Sequence, residues 1–214
     1  YIPGDTIKKV NGKTMTLIEF FVHSPFKDSL VKGRAESDKN VTSIVMQARF
    51  KKSSWDTKPS ALYLFGGDAD HYIWEEIQNQ SSAHNNGEKL DFDIFLAPHH
   101  CSWTYFNDVP YKKGETDEPV ESSKKLIKDH KVSGAVIIAS SKQINDDDDN
   151  PPHYPAKKEY IKLIGSSDKF ISLAEEPDSK NSKPVVYVVT SNGFQRKDKN
   201  QQTGSAGAAI GSSG

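Results

Sequence analysis

An α/β layered fold is predicted by three observations. Short apolar runs, among them residues 61–65 (ALYLF), 92–97 (FDIFLA) and 134–140 (GAVIIAS), read as buried strands. Segments with helical spacing separate them, so strands and helices interleave along the chain. A length of 214 residues is enough for one domain with a substantial core.

Each element has a local reason. Residues 4–14 are a turn region, with Asn11-Gly12 as a hairpin turn. Residues 16–23 (TLIEFFVH) form a strand stopped by Ser24-Pro25, and 26–40 a charged loop. Residues 41–50 (VTSIVMQARF) alternate apolar and polar side chains, the period of a strand. Strand 61–65 runs into Gly66-Gly67-Asp68, and a helix follows over 70–78. Asp70 is placed to cap it, and Ile73, Trp74 and Ile77 recur on one face. Residues 102–120 are an irregular insertion rich in aromatic and polar side chains. Helices are predicted over 121–130 and 156–164, a polar loop over 141–155, and strands over 170–173 and 185–190. The domain is placed at 1–192, and 193–214 is predicted to be a flexible polar tail rich in Gly, Ala and Ser.

Composition narrows the function. Formal net charge is −1, so bulk charge gives no basis for binding nucleic acid or an acidic membrane. The single cysteine, Cys101, excludes an intrachain disulfide and fits a reducing, cytoplasmic location. No apolar run approaches the roughly 20 residues that span a bilayer, so no membrane partner is expected.

Three strand ends carry candidate chemistry. The first is Gly66-Gly67-Asp68-Ala69-Asp70, where two glycines permit a tight turn that presents Asp68 at the sheet edge. An ordinary turn leading to a helix cap is the competing reading. The second is Pro98-His99-His100-Cys101-Ser102. Neutral imidazoles serve as metal ligands and general acids. On an extended backbone adjacent histidines point in opposite directions, so only one of His99 and His100 is expected to face the site. Cys101 is read as buried and inert. The third is Asn150-Pro151-Pro152-His153-Tyr154-Pro155, in which prolines fix the backbone around His153. A rigid surface turn explains it equally well. The acidic run at 146–149 is a solvated loop, lacking the glycine and terminal glutamate of a calcium loop.

The order of these motifs resembles the metallo-β-lactamase superfamily, in particular the hydrolase domain of bacterial DNA-uptake competence channels. The elements that carry the resemblance are residues 40–45, 62–68, 94–102, 135–140 and 153–155. More loosely, HHCSW at 99–103 is similar to metallohydrolases encoded beside bacterial ubiquitin-like conjugation genes. The resemblance implies an αββα sandwich with zinc or manganese at its edge, two ions in the intact domain. It implies Asp68 and His153 as metal ligands, and His99 or His100 as a ligand or as proton donor to the leaving group. The reaction it implies is hydrolysis of a phosphoester or phosphodiester, with a nucleotide or nucleic acid as substrate. The His-x-His-x-Asp-His loop of that superfamily is absent from this chain, which therefore resembles the second half of the fold. The superfamily has glycine where Cys101 stands, and its His-Pro is split here as His153-Tyr154-Pro155.

Two alternatives stay open. The remaining half of the fold, or another subunit, completes the site, and the chain alone then binds metal weakly or not at all. Otherwise the chain is a non-catalytic interaction protein that keeps the scaffold without its metal loop. The aromatic stretch 103–111 either stacks a base or packs in the core.

Overall fold

The computed structural model describes residues 1–27, 39–107, 118–147 and 151–197. Its short amino-terminal strands are β1 (Thr6–Ile7), β2 (Lys9–Val10) and β3 (Lys13–Thr14). β2 and β3 make the hairpin expected around Asn11-Gly12. The main strands follow: β4 (Ile18–Ser24), β5 (Val45–Phe50), β6 (Ala61–Phe65), β7 (Phe92–Leu96), β8 (Lys131–Ala139) and β9 (Phe170–Ser172). With β1 they form a seven-stranded sheet in the order β1-β4-β5-β6-β7-β8-β9. Pairing is antiparallel from β1 to β6 and parallel from β6 to β9.

Parallel neighbours need crossovers, and helices supply them. α1 (His71–Ala83) connects β6 to β7, α2 (Glu121–His130) connects β7 to β8, and α3 (Tyr154–Ile164) connects β8 to β9. Each step moves one strand in the same direction, so right-handed connections put all three helices on one face. The main core lies between that face and the helices. Ile73, Trp74 and Ile77 of α1, Leu126 and Ile127 of α2, and Tyr160 and Leu163 of α3 share it with Leu64, Phe95 and Ile137 of the sheet. The Trp74 ring meets Phe95 and Tyr105 edge-on at 5.4 and 5.9 Å. The opposite face carries Ile94, Ile138 and Ile171, covered by Val185, Tyr187 and Phe194.

The structure therefore bears out the α/β class, as a mixed sheet with helices on one side. Three local expectations are corrected. The strand predicted over 41–50 starts at Val45, because Lys39–Thr42 is a 3-10 turn. Ser24 Oγ fixes that start by donating to the Ser43 carbonyl (2.6 Å) and accepting from the Val45 amide (3.1 Å). β8 begins at Lys131 rather than at 134, with Gly134 at φ +85° beside an irregularity in its pairing with β7. The fold also continues past 192. Tyr187–Thr190 (β10) and Gly193–Arg196 (β11) form a hairpin, and the Phe194 ring packs edge-on against Phe50 at 5.3 Å. The rest of the predicted tail, 198–214, lies outside the described residues. Of the two readings of the aromatic stretch, packing is the one that holds for Trp103, Tyr105 and Phe106, which are core side chains. Residues 108–117 of that insertion lie outside the described residues.

The Tyr160 hydroxyl is buried and has no hydrogen-bond partner among the described residues. A buried unmade hydrogen bond costs about 1–3 kcal/mol. Tyr160→Phe is therefore expected to stabilise the protein by about 1 kcal/mol in urea unfolding. A loss of stability of that size would show that the hydroxyl is satisfied.

Candidate functional site

Because β6, β7 and β8 run parallel, their carboxyl ends open on one edge of the sheet, the usual place for a ligand in such folds. Antiparallel β5 begins at the same edge, with Met46 opposite Phe65. The loop after β6 is pressed between its neighbours. A Cβ at Gly66 would lie 2.6 Å from the Leu96 carbonyl oxygen and 2.7 Å from Pro98 Cγ. Gly67 adopts φ +54°, and a Cβ there would lie 2.7 Å from the Ile44 carbonyl oxygen. The tight turn expected from the two glycines is thus present. Asp70 takes the capping role, its Oδ1 accepting from the Ile73 amide at 3.0 Å. Asp68 is left exposed at the rim.

The loop after β7 departs from expectation. His99, His100 and Cys101 have φ of +47°, +56° and +70°, so the backbone is left-handed and not extended. Three successive non-glycine residues in this region cost on the order of 1 kcal/mol each. Hydrogen bonds hold them there. The His99 amide donates to the Gly67 carbonyl at 2.8 Å, and the Cys101 and Ser102 amides both donate to the Pro98 carbonyl, at 3.1 and 3.3 Å. The turn sends the two histidines to different environments. His100 is exposed, and its Nδ1 lies 2.7 Å from the Ser140 carbonyl oxygen at the end of β8. His99 is half-buried, and its buried Nδ1 has no hydrogen-bond partner among the described residues. Their ring centroids are 6.3 Å apart. Cys101 is fully buried, and burial pushes its thiol well above the usual range. It is a packing group, neither nucleophile nor thiolate ligand at neutral pH.

The third loop leads into α3. His153 is the N-cap residue of that helix, yet its side chain makes no capping bond there. It turns instead to the loop after β7. The His153 amide donates to the Cys101 carbonyl at 3.0 Å, and the His153 Nδ1 accepts from the Trp103 amide at 2.9 Å. Buried Pro152 and Pro155 flank it, as the predicted rigid loop requires.

The structure thus ties the three predicted strand-end loops into one rim: 66–68 to His99, His100 to Ser140, and His153 to Cys101 and Trp103. Among the described residues, no group of three or more His, Cys, Asp or Glu side chains is placed to hold a metal ion. Part of the acidic run, 148–149, lies outside the described residues. Two partners were missed in the sequence, the Ser140 carbonyl and the Trp103 amide. Both are backbone groups, which no side-chain motif announces. A cavity of about 570 Å³ lies elsewhere, between Phe21, His23 and Phe26 on one side and Glu76, Gln80 and His84 on the other.

The fold and the rim define an α/β protein with a mixed sheet whose parallel strands end in a polar, histidine-bearing edge. Compared with known proteins, the chain matches no family model, no curated protein and no solved structure. No helix among the described residues is long and apolar enough to cross a membrane.

Proposed function

We propose that this chain supplies one rim of a cytoplasmic, metal-dependent hydrolase of phosphoester or phosphodiester bonds, related to the metallo-β-lactamase superfamily. The observation that supports this reading most is the joining of the Asp68, His99–His100 and His153 loops at the carboxyl edge of the parallel strands. The donors at the rim suit zinc or manganese in kind, an exposed carboxylate at Asp68 and imidazoles at His99 and His100. They do not make a complete site, since the described residues hold no cluster of three. In the proposal the remaining donors come from an amino-terminal half of the fold or from another subunit. When bound, a divalent ion supplies Lewis acidity and lowers the pKa of water toward neutrality. The chain's own part is to fix the edge: the glycine turn presents Asp68, and the left-handed turn presents His100 to solvent.

Metal content of the intact protein tests the proposal. About two ions per domain are expected by elemental analysis, as in two-metal hydrolases. Asp68→Ala is expected to lower affinity for Zn²⁺ at least about tenfold, the size of effect that even indirect ligand changes produce. An intact wild-type protein that purifies and titrates without any bound ion would leave the non-catalytic interaction protein as the reading.

A further inference from the structure

We propose that two of the histidines at this rim, His100 and His153, are held in opposite tautomers. His100 presents a bare Nε2 lone pair to solvent, and His153 is a positioning residue with its proton on Nε2. The proposal rests on the hydrolase reading only for the cation it names.

Each assignment follows from a partner whose own role is fixed. A backbone amide only donates, and a backbone carbonyl only accepts. The Trp103 amide points at His153 Nδ1 from 2.9 Å, so that nitrogen bears a lone pair. A neutral imidazole has one N–H and one acceptor. The ring proton of His153 is therefore on Nε2, and its one lone pair is committed to Trp103. Such a ring has nothing to offer a metal ion. His100 is the reverse case. Its Nδ1 lies 2.7 Å from the Ser140 carbonyl oxygen, so Nδ1 carries the proton and donates it. The lone pair is then on Nε2 of an exposed side chain. A ring N–H bonded to a carbonyl, with the other nitrogen open, is the arrangement that orients a metal-binding histidine.

The rest of the geometry explains what His153 does. It grips the neighbouring loop twice, through its amide to Cys101 and through its ring to Trp103. Cys101 is the last residue of the left-handed turn that sets the direction of His100, and Trp103 lies two residues beyond it. The His153 side chain is not spent on its own helix, which it precedes without capping. The role of ligand therefore moves from His153, where the family resemblance puts it, to His100.

The tautomers can be read directly. In ¹⁵N-histidine NMR of the full chain near pH 8, His100 is expected to show the Nδ1–H form and His153 the Nε2–H form. Side-chain mimicry supplies a second readout. Asn places an acceptor where Nδ1 stands, and Gln places its amide where Nε2 stands. His153→Asn is expected to keep the Trp103 amide resonance and to keep Zn²⁺ affinity within about threefold. His153→Gln is expected to shift that resonance and to lose about tenfold in affinity, the range for groups that orient a ligand. An Nδ1–H form at His153, or a His153→Asn protein as impaired as His153→Gln, would overturn the inference. If the wild type takes up no Zn²⁺, the hydrolase reading fails, while the tautomers and the Trp103 resonance still decide this one.

Discussion

Gly66→Val is expected to cost the protein about 3 kcal/mol, the upper end of what overpacking a core does. The reason lies in what surrounds the position. A Cβ there would sit 2.6 Å from the Leu96 carbonyl oxygen and 2.7 Å from Pro98 Cγ. The first is backbone and the second a fixed ring, so neither can rotate away. Relief requires the carboxyl ends of β6 and β7 to separate, which pulls the Gly67 carbonyl from the His99 amide that it accepts from at 2.8 Å. Stability and the rim are then lost together. Gly87→Ala is the control, because a Cβ there meets nothing within 4 Å. Urea unfolding should show the Gly66 variant falling in midpoint and Gly87→Ala staying near wild type. For a chain of this size, about 3 kcal/mol corresponds to roughly 6–12 °C in Tm. A Gly66→Val protein within 1 kcal/mol of wild type would mean that the two strand ends are not in contact.

The elements that local chemistry specifies were legible in the sequence. Asp70 caps α1 as its position before Ile73 and Trp74 foretells, and Gly66-Gly67 makes the turn that only glycine makes cheaply. The three strand-end loops were also legible, because parallel strands alternating with helices must end on one edge. What stayed hidden depends on partners distant in sequence. Nothing in His99-His100-Cys101 requires a left-handed backbone. Gly67, Pro98 and His153 impose it through hydrogen bonds. The same holds for the direction of His100, which is set by a carbonyl forty residues away at Ser140. The β10–β11 hairpin is a different case. Its two-residue loop, Ser191-Asn192, precedes Gly193, so a turn signal was present but lay beside a polar tail. The alternation over 41–50 gives the strand but not the surroundings of its polar positions Gln47 and Arg49. Both are buried, with Arg49 bonded to Gln47 and Glu19, and Gln47 bonded to the Glu88 and Asp91 carbonyls.

Acid should weaken the fold well before its carboxylates protonate, through His23. This side chain is 4% exposed, at the end of β4. Its Nε2 donates to the Lys89 carbonyl at 2.9 Å, and its ring meets Phe21 edge-on at 4.9 Å. Burial is the main force that pulls its pKa down to about 4, with the positive charges of His130 and Lys89 adding to the effect and the bond to the Lys89 carbonyl opposing it. The folded state thus holds His23 neutral, while the unfolded chain protonates near the ordinary value of about 6.5. A folded pKa below the unfolded one means that the unfolded state binds more protons between the two values. The stability is complete above about pH 6.5 and drains away as pH falls toward 4. Linkage gives a loss of about 2 kcal/mol between pH 8 and pH 5 from this residue alone. His23→Gln keeps a nitrogen donor for the Lys89 carbonyl but has no proton to gain. Urea unfolding across that range should slope steeply for the wild type and be flatter for the variant by about 2 kcal/mol at pH 5. Parallel pH profiles for the two proteins would show that His23 is not the group that acid attacks.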